Sequence, residues 1–443
     1  MMMYQQMNSA RLICFVKIII LACVMQALFG CSYLNFAAYK AHWGITFKGI
    51  PSMTALNNLA PEKSLIVSGR IIKPRKNKEP LLLIAVSNQY QQNEMVASIQ
   101  IQKSTDIYMA FLPKGDYELL ILADLDNSGD FETDEVVGRT LVHVNPDQSI
   151  SGAVLKGPTI TLDLNHPGQA AFHVRETVQP SSYVYSSLDD EFFDPQYGTM
   201  GLYYPTEFIY HNQGFIFSLE EYDPSKTMVL FVHGVAGTPR DWKFYAEKMD
   251  RSQYQPFFFY YPSGLQLDRL GAVLAQIIQY IGNSSTIHSP KIILVAHSMG
   301  GLVALSAINR LSENGIPSYL KMYCSFSTPY GGSDSAQYWT TKMPAKVPAW
   351  LDIGAKSNFI QTLGNRPIPD KLPFYLFFTY KTPSTSRQPE NSDGAVSIRS
   401  QLNPLIQASA TRVIGFNETH VGVLNSEAAR ELFFQLLHTV IEP

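Results

Sequence analysis

The sequence predicts a doubly wound, mostly parallel α/β sheet preceded by a small all-β sandwich. Three observations carry this expectation. Between Lys63 and about Asp163, short β-branched or apolar runs alternate with Pro, Gly, Asn or Asp clusters, and no long amphipathic helix interrupts them. After about Pro180, continuous apolar runs such as MVLFV (from Met228), KIILVA (from Lys291) and FYLFF (from Phe374) set in, which is what a parallel sheet covered on both faces requires. Stretches of helical period lie between those runs, and strand–helix alternation winds a parallel sheet.

In chain order, the first element is a leader. Arg11 and Lys17 precede an apolar stretch, Ile18–Phe29, of about twelve residues, where a bilayer span needs roughly twenty. A short apolar core after basic residues reads as a secretory signal peptide, residues 1–30. Its end, Leu28-Phe29-Gly30-Cys31, resembles a bacterial lipobox. That resemblance implies a lipid on Cys31, and Ser32 after it implies an outer-membrane destination if the host is Gram-negative. The expected protein is therefore exported and held to a membrane through its N-terminus. Cys14 and Cys23 would leave with the leader, so Cys324 stays without a disulfide partner and reads as a small buried hydrophobe.

Residues 31–62 read as a tether and 63–165 as the sandwich. Its expected strands are Ser64–Ile72, Pro80–Val86, Glu94–Ile101, Ile107–Leu112, Tyr117–Asp124 and Arg139–Val144, paired antiparallel. Inside it, Asp124 to Glu135 matches the twelve-position calcium loop, with Asp124, Asp126, Ser128, Asp130 and Glu135 as oxygen ligands and Gly129 at the turn. Strands rather than helices flank this loop, and an acidic turn without metal fits the same residues. Any calcium here would be structural.

Residues 166–188 read as a linker and 189–443 as the α/β domain. A hairpin is expected from Glu207–Tyr210 and Gly214–Tyr222. Strands are then expected at Thr227–Val232, Pro256–Tyr260, Lys291–Ala296, Leu320–Phe326, Phe374–Tyr380 and Arg412–Phe416. Helices are expected at Asp241–Met249, Leu265–Ile281, Gly300–Leu311 and Glu427–Ile441. The chain has 443 residues, 46% hydrophobic and 16% charged, which suits two domains and a leader. A net charge of -3 without a long basic run speaks against nucleic-acid binding.

The chemistry concentrates in the α/β part. Ala296-His297-Ser298-Met299-Gly300 joins a strand to a helix. A serine on that sharp turn has its hydroxyl pushed out at the carboxyl end of the sheet, and the turn demands small residues two before and two after it. Here the sequence resembles the α/β-hydrolase superfamily, in its bacterial lipase and esterase branch. Ala296 stands where the family's pattern has Gly. The resemblance implies Ser298 as nucleophile and the chain order Ser, Asp or Glu, His. Only His420 and His438 follow Ser298. His438 falls in the apolar period of the last helix, so His420 is the expected base. Asp393, in Ser392-Asp393-Gly394-Ala395-Val396, resembles the family's acid signature, with Glu390 as its nearest rival and Asp352 and Asp370 too early in the chain. His297 reads as a packing residue. The run Val232-His233-Gly234-Val235 resembles the His-Gly turn of those lipases, and that resemblance implies an oxyanion hole made by the backbone N–H groups of Val235 and Met299.

Ser327-Thr328-Pro329-Tyr330-Gly331-Gly332-Ser333 resembles a turn of lipases and some lipid acyltransferases. The apolar residues of 334–372, Trp339, Trp350 and Phe359 among them, are expected to cover the serine as a lid or acyl pocket. The expected function is a serine ester hydrolase acting on an ester or lipid substrate without a cofactor. A lipid acyltransferase uses the same triad, and a surface-binding lipoprotein that has lost activity is the reading from another class.

Overall fold

A computed structural model describes residues 64–441, apart from 75–78, 88–93, 102–105, 150–153, 178–184, 186, 206–207, 210–214, 284–289, 343–345 and 384–390. The leader, Cys31, the tether, Glu390 and the turn at Asn212–Gly214 lie outside the described residues. Among the described residues, no helix is long and apolar enough to cross a membrane.

Two sheets face each other in the N-terminal part. One has the order Ile107–Pro113, Ser64–Ile72, Val154–Lys156, with Ile160–Thr161 also on Ser64–Ile72. The other has the order Glu94–Ile101, Leu81–Ser87, Gly115–Ala123, Val136–Val144. Leu65, Val67, Leu83, Leu119 and Ile121 fill the space between them. The pairing departs from pure antiparallel order, because Ser64–Ile72 takes Val154–Lys156 and Ile160–Thr161 in parallel. Every residue of Leu81–Ser87 is buried. The reason is a second apolar layer on its outer face, where Leu82, Ile84 and Leu120 meet Phe131, Ala170 and Val174. Residues 168–177 of the expected linker therefore pack on the sandwich, and Arg175–Thr177 pairs with Asp130–Glu132. Arg70 lies over the Tyr280 ring and Phe111 meets Phe215, so sandwich and α/β part touch.

The α/β part holds a seven-stranded sheet. Its order is Ile216–Ser218, Tyr254–Phe259, Thr227–Val232, Ile292–His297, Leu320–Phe326, Phe374–Thr379, Arg412–Phe416. Ile216–Ser218 runs antiparallel and all other pairs are parallel. Thr227–Val232, Tyr254–Phe259 and Ile292–His297 are buried at every residue, so both faces of the sheet are covered there. Helices Leu267–Gly282 and Met299–Leu311 approach closely at Gly271, where a Cβ would run into Ser306. Phe433, on the helix Glu427–Ile441, joins a ring cluster with Tyr245 and Phe326.

Two local expectations change. Phe208 and Ile209 are helical, and Ile216–Ser218 pairs with Tyr254–Phe259 instead of forming the expected hairpin. Burial decides this: the Phe208 ring stands edge-on to Tyr260 at 4.9 Å. The expected helix Asp241–Met249 splits into a 3-10 turn, Pro239–Trp242, and a short helix, Lys243–Ala246. Thr238 and Asp241 form a capping box that starts the first turn at Pro239.

The chain enters the parallel sheet at Thr227–Val232, adds Tyr254–Phe259 on one side, then crosses to Ile292–His297 on the other. The carboxyl ends of the first and third strands therefore flank the point where the winding reverses. Open α/β sheets bind their ligands at such a point.

Candidate active site

Ser298 follows Ile292–His297 directly and caps the helix Met299–Leu311. Its backbone sits at φ 54°, ψ −130°, in the left-handed half of the map that a side chain other than glycine rarely adopts. The turn holds that geometry by close packing. A Cβ on Gly300 would collide with the His233 carbonyl, and one on Gly301 with the Thr328 side chain. Ala296 is fully buried. The Ser298 amide donates to the Phe326 carbonyl at 2.8 Å.

Three residues that lie far apart in sequence meet here. Ser298 Oγ lies 2.8 Å from His420 Nε2, and His420 Nδ1 lies 2.8 Å from Asp393 Oδ2. The His420 main chain is held at both ends: its N–H donates to the Asp393 carbonyl at 3.0 Å, and its own carbonyl accepts from His297 Nε2 at 2.8 Å. His297 thus does more than pack. Burial pushes its imidazole down to about 3, so it stays neutral and donates through Nε2. Asp393 is 0% exposed. Burial raises its carboxyl, but hydrogen bonds from His420, Val396 and Thr379 outweigh that and hold it below the usual carboxylate range.

The turn after Thr227–Val232 supplies the other wall. Gly234 faces Ser298, since a Cβ there would stand 3.2 Å from the Ser298 Cβ. His233 is buried and its ring stacks on Tyr261 at 4.2 Å. Its Nε2 accepts the Tyr261 N–H, so Nδ1 carries the proton and donates to the Gly234 carbonyl at 2.8 Å. Burial holds this ring at about 4 and keeps it neutral. Ala236 is left-handed at φ 50°, with its N–H on the Ser263 hydroxyl. Among the described residues, the N–H groups of Val235 and Met299 have no acceptor within the protein. Two such amides beside a serine on a helix N-terminus suit developing negative charge.

Ser298 and His420 open into a cleft of about 610 Å³. Val235, Phe244, Val421 and Leu424 make its apolar lining, while Arg240, Asp241, Lys243 and Glu247 make its polar one. Asp241 accepts the Thr238 N–H, and burial pushes its carboxyl up to about 6. Arg240 is engaged with the carbonyls of Leu188, Asp189 and Asp190, and Lys243 with Asp189 and Glu247.

Among the described residues, none of the segment 334–372 lines this cleft. Phe359 lines a separate cleft of about 580 Å³, with Gln266, Asp268, Arg310 and Asp352. Trp350 stands edge-on to Tyr203, and Asp352 accepts the N–H of Leu267 at the start of a helix. The side chain of Trp339 lies outside the described residues. A ring contact engages Trp350, and Phe359 borders the second cleft.

The expected calcium ligands come together in part. Asp124, Asp126 and Glu135 bring carboxylate oxygens within 4.8 Å of one another, and Asp130 lies outside that group. The Ser128 hydroxyl exchanges hydrogen bonds with the Asp130 main chain. Backbone N–H groups of Ser128, Gly129, Leu125 and Glu132 already donate to the three carboxylates. Cys324 is fully buried and burial raises its thiol, in line with a packing role.

Comparison with known proteins adds one family. Residues 223–365 match the family described as "Putative serine esterase (DUF676)". This stretch contains Ser298 and the His233–Val235 turn but neither Asp393 nor His420. No curated protein matches the chain. Among solved structures, the Bacillus licheniformis lipase BlEst2 in mature form is 22% identical, with a TM-score of 0.39, over 50% of this chain and 98% of that one. Phospholipase PlaB from Legionella pneumophila is 13% identical, with a TM-score of 0.36, over 48% of this chain and 57% of that one. Aspergillus fumigatus lipase B is 17% identical, with a TM-score of 0.36, over 50% of this chain and 56% of that one.

Proposed function

We propose that the chain is a serine ester hydrolase that cleaves carboxylic esters through an acyl-enzyme on Ser298. The observation that carries this reading is the unbroken series of hydrogen bonds from Ser298 Oγ through His420 to buried Asp393. The match to a serine-esterase family over the nucleophile and the Gly234 turn supports it.

In this mechanism, Oγ attacks the ester carbonyl as His420 Nε2 takes its proton. Asp393 orients the imidazole and stabilises the cation that forms. The carbonyl oxygen becomes an oxyanion and accepts from the N–H groups of Val235 and Met299, donors worth about 3 kcal/mol each. His420 then hands its proton to the leaving alcohol. Water attacks the acyl-enzyme by the same steps in reverse, and the carboxylic acid leaves. Each step uses only the triad, two backbone amides and water, so the proposed reaction takes no cofactor.

Val235, Phe244, Val421 and Leu424 support an apolar acyl group on the substrate. The same reading has the enzyme exported and held to a bacterial membrane by lipid on Cys31, on the strength of Leu28-Phe29-Gly30-Cys31. Cys31→Ser should then release the protein from the detergent phase. Unchanged partition would point to another anchor.

The decisive experiment is labelling with a fluorophosphonate probe. Wild type should be labelled at Ser298, and Ser298→Ala should lose hydrolysis of a short p-nitrophenyl ester by several orders of magnitude while staying folded. Retention of more than a few per cent of activity would refute the assignment.

A further inference from the structure

We infer that Thr379, supported by Ser327 and Gln401, is a positioning residue that aims Asp393 at His420; this rests on the triad reading above. Asp393 Oδ1 accepts two main-chain donors, Ala395 N–H at 3.0 Å and Val396 N–H at 2.7 Å. Oδ2, the oxygen that meets His420, also accepts Thr379 Oγ1 at 2.7 Å and Gln401 Nε2 at 3.2 Å. An ionised carboxylate is purely an acceptor, so every one of these partners must donate.

That requirement orders the rest of the network. Because the Thr379 hydroxyl spends its proton on Asp393, it must accept from Ser327 Oγ, which lies 2.7 Å away. Ser327, Thr379, Asp393 and Gln401 are all buried to within 1%. Ser327 also stands at φ 52°, in the left-handed region, just beyond Leu320–Phe326. Gln401 closes the arrangement. Its Oε1 accepts the Thr379 N–H at 2.9 Å and its Nε2 donates to the Thr379 carbonyl at 3.0 Å, so one side chain pairs with both groups of that residue. The amide orientation is forced, because its NH2 end must face the carboxylate. Proton donation therefore runs in one direction, from Ser327 to Thr379 to Asp393.

The consequence for the reaction is geometric and electrostatic. The carboxylate cannot rotate without breaking several buried hydrogen bonds, which keeps Oδ2 on His420 Nδ1. The Thr379 hydroxyl also shares the negative charge that would otherwise act on His420 alone. Deleting the hydroxyl should do two things: loosen the aim, which lowers kcat, and leave more charge on His420, which moves the acid limb of the kcat/KM profile to higher pH.

The test compares Thr379→Val with Thr379→Ser in the full chain, on a short p-nitrophenyl ester. Thr379→Val should lose about ten- to a hundredfold in kcat, the scale of one hydrogen bond to a charged group, with KM little changed and the acid limb displaced upward. Thr379→Ser keeps the hydroxyl and should stay within about threefold of wild type with its acid limb in place. If Thr379→Val does not fold, Ser327→Ala carries the test: it should slow kcat by about threefold or more and move the limb the same way. Wild-type kcat and pH profile in Thr379→Val, or in Ser327→Ala where that variant stands in, would overturn the inference. So would a Thr379→Ser as slow as Thr379→Val. Fluorophosphonate labelling separates the two levels. A wild type that is not labelled at Ser298 removes the triad reading. A labelled wild type, with Thr379→Val labelled equally fast, removes only the positioning role.

Discussion

Asp393 keeps its charge because of what surrounds it. A carboxyl that is fully buried would ordinarily be pushed toward its neutral form, yet donors from His420, Ala395, Val396, Thr379 and Gln401 keep it ionised. Asp393→Asn preserves the shape but replaces an acceptor facing His420 by a group that can donate. It should lower kcat by about four orders of magnitude, as loss of the orienting acid does in other triads. Glu390→Gln should leave kcat within about twofold, because Asp393 already holds His420. Steady-state kinetics of both variants check this, and the reverse ranking would move the acid to Glu390. At this scale Ser298, Asp393 and His420 could be singled out in the sequence because each sits in a short motif. Thr379 and Gln401 left no such mark, and Ser327 opens the Ser327–Ser333 turn without any sign there of its contact with Thr379. They come from three separate stretches, and an isolated Thr, Ser or Gln near a strand end says nothing about what it will meet.

The elements that matter are the two turns that lock into each other. Gly300 lies against the His233 carbonyl and Gly234 against the Ser298 Cβ, so the Ser298 turn and the His233–Val235 turn fix one another's position. In Gly300→Ala the new Cβ meets backbone that cannot swing aside. The expected result is loss of about 2 kcal/mol or more of stability, or a tenfold or greater drop in kcat, read by urea denaturation and kinetics. A variant indistinguishable from wild type would mean that the turns are looser than their packing indicates. The apolar side of the cleft makes a second prediction. Phe244→Ala and Leu424→Ala should flatten the dependence of kcat/KM on acyl chain length, since each buried methylene is worth about 0.8 kcal/mol. Trp350→Ala, on a residue that packs against Tyr203, should reduce stability and leave the chain-length profile intact. A profile that responds to Trp350 and not to Phe244 would return the segment 334–372 to the role its composition suggested.

For the molecule as a whole, buried ionisable groups set how stability follows pH. His233 and His297 are held at about 4 and about 3, below the unfolded value of 6.5. The unfolded chain therefore binds protons between pH 6.5 and about 4 that the folded chain refuses, and stability falls as pH drops through that window. Asp241 and Asp352 act the other way: burial raises both to about 6 from 3.8, so the folded chain binds their protons first and regains stability as pH falls below 6. Each histidine should remove about 2 kcal/mol at pH 5 and the half-buried carboxyls should restore part of it, for a net loss of about 1–3 kcal/mol between pH 7 and pH 5. Urea midpoints across that range measure it, and a chain more stable at pH 5 than at pH 7 would contradict these environments. EDTA should leave ester hydrolysis unchanged, since no group of the triad touches the Asp124–Glu135 loop. Loss of activity on chelation would bring a metal into the reaction.

The sequence by itself pointed to the α/β class, to most strand positions and, through the resemblance to α/β-hydrolases, to Ser298, Asp393 and His420, which meet in the folded chain. These depend on local physics: apolar runs of strand length, a turn that tolerates only small neighbours, and histidines few enough to compare one by one. Only the tertiary structure decided which residues surround Asp393 and which line the cleft at Ser298. Donor and acceptor roles around Asp393 follow from Thr379, Ser327 and Gln401 meeting across strand ends and a short helix, and sequence spacing does not encode that meeting. In the same way, the apolar residues Trp350 and Phe359 could line a substrate pocket or pack elsewhere, and their composition is the same in either case. The folded chain puts Trp350 against Tyr203 and Phe359 at a separate cleft, because burial is a property of surroundings and not of the residue.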